Sequence, residues 1–283
     1  MVTVHSASER PSSPGVNRQP RRRPSSGKLF VDAVAILVFI FLIIPLVVIV
    51  AASFNAGEYL TFPPDGFSLR WYRAVIESDR WLSSFRLSGI VTVITVPISL
   101  LIGILASYGV VRYDFRGKAI VNTLLLTPLV IPQIVLGLAL LDFFSRLGLL
   151  DSIPGLVIGH VVVTLPYVVR SVSVSVQGLD PMMERAAVTL GANPFQTFRK
   201  VTLPLIRPGI VAGGIFASII SFGELGVTLL IAGANTATLP VRIFGFTEFN
   251  FDPTINAVST LFIILAIGLL ITLDRFIGLA RIG

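Results

Sequence analysis

The chain is 283 residues long, with 54% hydrophobic and 13% charged residues and a formal net charge of +7. A soluble domain carries roughly 25% charged residues, so this composition excludes a soluble globular fold, whose surface it could not cover. There is no cysteine, which excludes disulfides, thiolate metal sites and cysteine nucleophiles.

Residues 1–28 are rich in Ser, Pro and Arg, as in Arg18-Gln19-Pro20-Arg21-Arg22-Arg23-Pro24. Such a segment buries too little apolar area to order itself, and a disordered basic tail is expected. It does not read as a cleaved signal peptide, because the apolar run that follows is long enough to span and no small-residue cleavage site follows it. Residues 29–283 read as the transmembrane domain. Uncharged runs cover Ala33–Gly57, Leu87–Val111, Ala119–Leu141 and Thr254–Leu273. Each is near or above the ~20 residues a helix needs to cross a bilayer. Ser152–Val169 holds only His160, and Gly209–Val241 is broken only by Glu224. The fold class expected is therefore an all-α polytopic membrane protein with six spans, near 29–54, 85–111, 118–142, 152–176, 205–232 and 254–277. The runs lack the alternation that barrel strands would show.

Basic residues set the topology. With both termini cytoplasmic, sixteen Lys and Arg lie inside and six outside. The positive-inside rule favours that orientation. The basic excess is then a topology signal rather than a nucleic-acid signal, with attraction to anionic lipid as a second effect. In the outer segment 55–84, Pro63-Pro64-Asp65-Gly66 marks a turn, and Trp71, Tyr72 and Trp81 suit a membrane interface.

The cytoplasmic loop 177–204 carries the most information. Asp180 is placed to cap a helix with Pro181 at its first position, and Gly191 to end it in a left-handed conformation. Asn193 caps a second helix, with Pro194 first and Gln196 completing a capping box. Leu203-Pro204 marks the return toward the membrane. Ala186 and Ala187 allow a close approach, and Glu184 and Arg185 can orient what approaches. From spacing alone, docking and an ordinary loop lying on the bilayer both remain open.

This run resembles the EAA loop of permease subunits of ATP-binding-cassette importers, whose pattern is roughly Glu-Ala-Ala, three residues, Gly, nine residues, Ile, one residue, Leu-Pro. Here Arg185-Ala186-Ala187 is followed by Gly191, Val201 and Leu203-Pro204. Arg185 stands where the family usually has Glu, and Glu184 precedes it. The resemblance covers about 83–280. It implies a type I importer permease fold. It also implies a coupling helix, formed by Glu184, Arg185, Ala186, Ala187, Gly191, Leu203 and Pro204, that inserts into a separate ATPase subunit. The chain has no Gly-x-x-x-x-Gly-Lys-Ser/Thr phosphate loop, so it is not itself an ATPase. ATP and Mg would be bound by a pair of partner ATPase subunits. Further implied partners are a second permease, the same or homologous, an extracytoplasmic solute-binding protein and the lipid bilayer of a bacterial inner membrane. Gly66-Phe67-Ser68-Leu69-Arg70-Trp71-Tyr72 and Leu239-Pro240-Val241-Arg242-Ile243 look like the spermidine/putrescine-type branch. Gly223-Glu224-Leu225-Gly226 with Thr228-Leu229 also resembles oxyanion permeases.

Ionisable groups at membrane depth default to a functional reading, because an unpaired charge there costs roughly 2.5–3.5 kcal/mol or more. Glu224, flanked by glycines, either faces the pathway or permease interface or bonds a neighbouring helix. Gln133 follows the Pro128 and Pro132 pair that loosens its span. Asp142, at the end of the third span, reads first as an i,i+4 pair with Arg146 at the outer interface, with the pathway as its alternative. His160 reads as a helix-contact residue rather than a metal ligand. Thr164 and Tyr167 are further candidates for the path. The rival functions are a free-standing secondary transporter or channel, which internal repeats would favour, and a membrane enzyme. For the enzyme no His-Glu-x-x-His or Gly-x-Ser-x-Gly constellation is present.

Overall fold

The computed structural model describes residues 26–59, 61–249 and 252–277. Most of the tail expected at 1–28 lies outside the described residues. The described residues form helices and connecting loops with no strand; one isolated antiparallel bridge pairs Asn55 with Phe67. Residues up to Val47 and residues from Val48 onward make two units.

The first unit carries most of α1 (Ser26–Ala52), which contains the apolar stretch Phe30–Ala52. Phe30, Leu37, Phe39, Phe41 and Leu42 are all exposed. Side chains apolar on every side suit lipid or another apolar surface, not water.

The second unit opens with a small loop built on Asn55, whose buried side chain accepts from Gly57 N and Asp65 N and donates to Tyr59 O. Then follow α2 (Arg70–Glu77), α3 (Asp79–Arg112), α4 (Lys118–Leu126), α5 (Gln133–Leu147) and α6 (Ile153–Gln177). The connection after α6 holds α7 (Pro181–Thr189) and α8 (Pro194–Thr197), the latter continued by a π-helical turn, Phe198–Thr202. The chain returns through α9 (Arg207–Gly223), α10 (Thr228–Ile231), α11 (Leu239–Phe249) and α12 (Thr254–Ile277).

The centre of this unit is α3, α6 and α9, packed closely through small residues, the device that lets helices meet where no water drives them together. A Cβ built on Gly103 would lie 2.5 Å from Val168 Cγ1, and one on Gly209 would lie 2.7 Å from the Ser171 carbonyl oxygen. On α3 the buried hydroxyls Ser84, Ser88, Thr92, Thr95, Ser99 and Ser107 recur at helical spacing and so share a face. Ser99 bonds Thr164 at 2.7 Å, and Ser107 donates to the Val169 carbonyl at 3.0 Å. Apolar clusters fill in around these contacts. Val168, Val172, Val176, Ile206 and Ala217 form one near the α6–α7 end. Val75, Trp81, Phe222, Leu239 and Val258 form another toward the opposite end.

Two expected spans are not single helices. The one at 118–142 is Lys118–Leu129 followed by Gln133–Leu147, bent by 107°. Pro132 has no N–H to continue the ladder, and each proline disfavours helix in the residue before it. The one at 205–232 ends as regular helix at Gly223, where Glu224 turns extended (ψ 120°), and resumes only as the short α10. By length and composition the described residues contain three helices able to span, Phe30–Ala52, Asp79–Arg112 and Ile153–Gln177. Two bent pairs bring the number to five: the one above, and Pro194–Leu205 with Arg207–Gly223, bent by 69°. In the sixth expected span the helix runs Thr254–Ile277, 24 residues, and Thr254–Gly268 is its apolar first part.

Candidate functional site

Two places bring the candidate residues together. The first is the helix–Gly–helix connection. Asp180 accepts from Met182 N at 2.9 Å, with Pro181 opening α7. Gly191 has φ +88°, a conformation an L side chain enters only at a cost, and Ala192 N donates back to the Ala187 carbonyl at 3.0 Å. Asn193 and Gln196 form the capping box, at 2.8 and 3.1 Å. The local chemistry expected from these residue types is the chemistry observed.

What the spacing did not reveal is how the connection is fastened. Glu184 lies largely inside: its Oε2 is 3.1 Å from Arg112 Nε, and its Oε1 accepts from the Thr202 hydroxyl at 2.6 Å. Arg112 Nη2 donates to the Leu179 carbonyl at 2.9 Å, and Phe198 meets Tyr108 edge-on at 5.1 Å. The connection is thus tied to the last turns of α3. Arg185 and Ala186 are exposed, Ala187 is half-buried, and Leu203 and Pro204 are half-buried in the turn before α9. Met182, Met183, Val188, Leu190 and Phe195 are also exposed, Leu190 at 89%. So many large apolar side chains on one short polar connection mark a contact surface.

The second place is the break after α9. Glu224, 3% exposed, accepts from Val227 N at 2.8 Å through Oε1 and from Gln133 Nε2 at 3.2 Å through Oε2. No Lys or Arg pairs with it among the described residues. Gln133, the first residue of α5, is itself exposed, so the buried carboxylate sits directly behind a surface amide. His160 holds the two sides of the break together: Nδ1 is 2.9 Å from Ser221 Oγ, and Nε2 is 2.9 Å from Thr228 Oγ1. One ring nitrogen donates and the other accepts in the neutral imidazole, and both hydroxyls can reciprocate. Glycines admit the neighbouring helix. A Cβ on Gly226 would lie 2.7 Å from Gln133 Cβ, and one on Gly137 would lie 3.2 Å from Val227 Cα.

Asp142 lies apart from both places, exposed and paired with Arg146 at 3.1 Å. Thr164 is fully buried against α3, and Tyr167 is half-buried. Among the described residues no cluster of three His, Asp or Glu groups could hold a metal. Three residues that matter to this geometry escaped sequence reasoning. Arg112 carried a signal only as one of the basic residues that set the topology, and Thr202 carried none. Asp151, at φ +51°, accepts from Thr236 Oγ1 at 2.7 Å and joins the α5–α6 and α10–α11 connections. At that same end Arg242 Nε donates to Ser84, and burial together with the nearby Arg80 cation lowers the pKa of its guanidinium.

Over residues 99–279 the sequence matches the family described as binding-protein-dependent transport system inner membrane component. It is 29% identical to the spermidine/putrescine transport system permease protein PotC of Escherichia coli (strain K12) over 245 residues, 87% of this chain and 92% of that one. It is 30% identical to the molybdate/tungstate transport system permease protein WtpB of Pyrococcus abyssi over 221 residues, 78% of this chain and 88% of that one. Its fold is like that of a chain in the crystal structure of a bacterial ABC transporter involved in the import of the acidic polysaccharide alginate. There the TM-score is 0.69 at 18% identity, covering 90% of this chain and 98% of that one.

Proposed function

The chain belongs to the family of binding-protein-dependent transport system inner membrane components, and on that premise we propose that it is the permease of an ATP-binding-cassette importer for a small organic cation of the polyamine class. It crosses a bacterial inner membrane six times with both termini, the tail 1–28 and the loop 177–204 in the cytoplasm. A second permease, a copy or a relative, completes the pathway. An extracytoplasmic binding protein delivers solute, and a pair of separate ATPase subunits binds ATP and Mg.

The observation that carries this reading is the two-faced connection 180–204. Its inner face is tied to α3 through Glu184, Arg112 and Thr202, and its outer face carries Arg185, Met182, Met183, Leu190 and Phe195. An ATPase closing on the outer face displaces α7. The displacement reaches α3 through Arg112, and reaches α9 and its break at Glu224 through the chain after Thr202. Closure then opens the pathway outward to receive solute, and hydrolysis resets it inward. Solute and nucleotide each shift the other's equilibrium, as linkage requires.

The likeness to PotC supports a polyamine and the likeness to WtpB an oxyanion. Glu224, a carboxylate with no cation beside it among the described residues, favours the polyamine. The first test is to purify the tagged chain gently from its host and identify by mass spectrometry what stays bound. An ATPase with a phosphate-binding loop, lost on Ala186→Arg while the chain stays in the membrane, is the expected result. A chain recovered alone and moving solute without ATP would instead be a free-standing transporter. Uptake of molybdate rather than putrescine by the purified assembly would overturn the substrate class.

A further inference from the structure

Glu184 and Arg185 are adjacent, and adjacent helical residues point about 100° apart. Here that separation divides their roles. Glu184 is spent within the chain: Arg112 faces one carboxylate oxygen at 3.1 Å and the Thr202 hydroxyl the other at 2.6 Å. It offers no free negative charge to anything outside. Arg185 is exposed, and its guanidinium has no partner among the described residues. Arg199 and Lys200 are exposed and equally unpaired. The only other acid of 180–204 is Asp180, which is occupied in capping Met182 N. The free charge that the connection exposes is therefore cationic, and the same connection exposes the apolar side chains of Met182, Met183, Leu190 and Phe195.

Resting on the importer reading above, we propose that this face fits an apolar groove in the ATPase subunit that carries a carboxylate opposite Arg185. The charge of the docking pair is thus reversed relative to a loop that presents Glu at this position. A protein groove is the occupant because the connection exposes long apolar anchors together with unpaired cations. Buried aromatic and long apolar anchors supply affinity at a protein interface, and charges across it select the partner and its register. Glu184 is a positioning residue: it holds α7 against α3 and does not touch the partner.

The test uses the full chain co-expressed with the ATPase subunit of its own transporter, reading the ATPase retained on the purified chain as salt rises. Arg185→Glu should lower retention by about tenfold or more at moderate salt, since like charges at an interface are strongly disfavoured. Arg185→Lys should stay close to the parent. Glu184→Gln should leave the salt dependence of retention as it is, because no charge at the interface changes. Among the acidic residues rimming the ATPase groove, one changed to Lys should restore binding to Arg185→Glu and to no other variant. The inference is overturned if Arg185→Glu retains the ATPase as the parent does, which would leave the face to the anionic bilayer surface. It is overturned equally if Glu184→Gln removes the salt dependence, or if no acidic position rescues. Failure of the parent chain itself to retain any ATPase would defeat the importer reading instead.

Discussion

At Glu224 the backbone leaves the helical region and the side chain reaches forward to accept the N–H of Val227, three residues on. The carboxylate thereby closes the break locally, while its second oxygen reaches α5 through Gln133. The substitution Glu224→Gln keeps the shape and an acceptor for Val227 N but removes the charge. A hydrogen bond to a charged group is worth roughly 1.5–3 kcal/mol. We expect the variant to insert normally and to take up putrescine about tenfold or more slowly, measured in vesicles at matched protein. Unchanged uptake would remove Glu224 from the transport step. His160 acts on the same break by bonding Ser221 and Thr228 on its two sides. In His160→Leu those hydroxyls lose that partner inside the bundle, at about 1–3 kcal/mol for each one left unsatisfied. The expected readout is a lower thermal unfolding midpoint in detergent; an unaltered midpoint would mean that the hydroxyls find other acceptors. His160 was legible as a contact residue because no ligand-type neighbour accompanies it. Its two partners, sixty or more positions away, were not, since nothing in local spacing reports a tertiary hydrogen bond.

Among the elements, those read most fully from sequence are the ones whose ends are written in short-range chemistry. Asp180-Pro181, Gly191 and Asn193-Pro194 with Gln196 each specify a cap within a few residues, and each cap forms. Gly191, at φ +88°, gives a direct check. A branched side chain there costs about 1–2 kcal/mol of left-handed strain, whereas Asn tolerates the conformation. Transport should therefore survive Gly191→Asn and fall sharply in Gly191→Val, with both proteins present in the membrane. Equal activity in the two would show that the turn is not needed in this form. The prolines at 128 and 132 announced a loosened span, but the 107° bend they permit depends on what α4 and α5 pack against, and that is long-range information. The same holds for the approach of α5 to the Glu224 break. Gly137 is one of many glycines in sequence, yet here a Cβ would meet Leu230 Cδ1 at 2.8 Å and Gly226 O at 3.2 Å. Gly137→Val should overpack this contact by about 1–3 kcal/mol, read as reduced recovery of folded protein after mild heating. Full recovery would show that α5 can shift away from the break without loss.

For the molecule as a whole, the absence of charge over long runs and the crowding of Lys and Arg in alternate connections were enough to read a helical membrane protein. A pattern of about twenty residues then pointed to its family. Sequence could not show that Glu184 serves the chain's own α3 while Arg185 faces outward, because that division depends on Arg112, seventy-two positions away. Asp142, by contrast, was legible from local spacing: it lies in the exposed i,i+4 pair with Arg146. On this reading, work done on 180–204 from outside the chain drives solute through it. The most direct measurement is uptake of labelled putrescine into vesicles containing the assembled transporter, with and without ATP inside the ATPase compartment, for the parent chain and for a chain lacking 184–191. Uptake should occur only with ATP in the parent and not at all in the deletion, although the deleted protein still inserts. Uptake that needs no ATP, or that continues at the parent rate without 184–191, would contradict it.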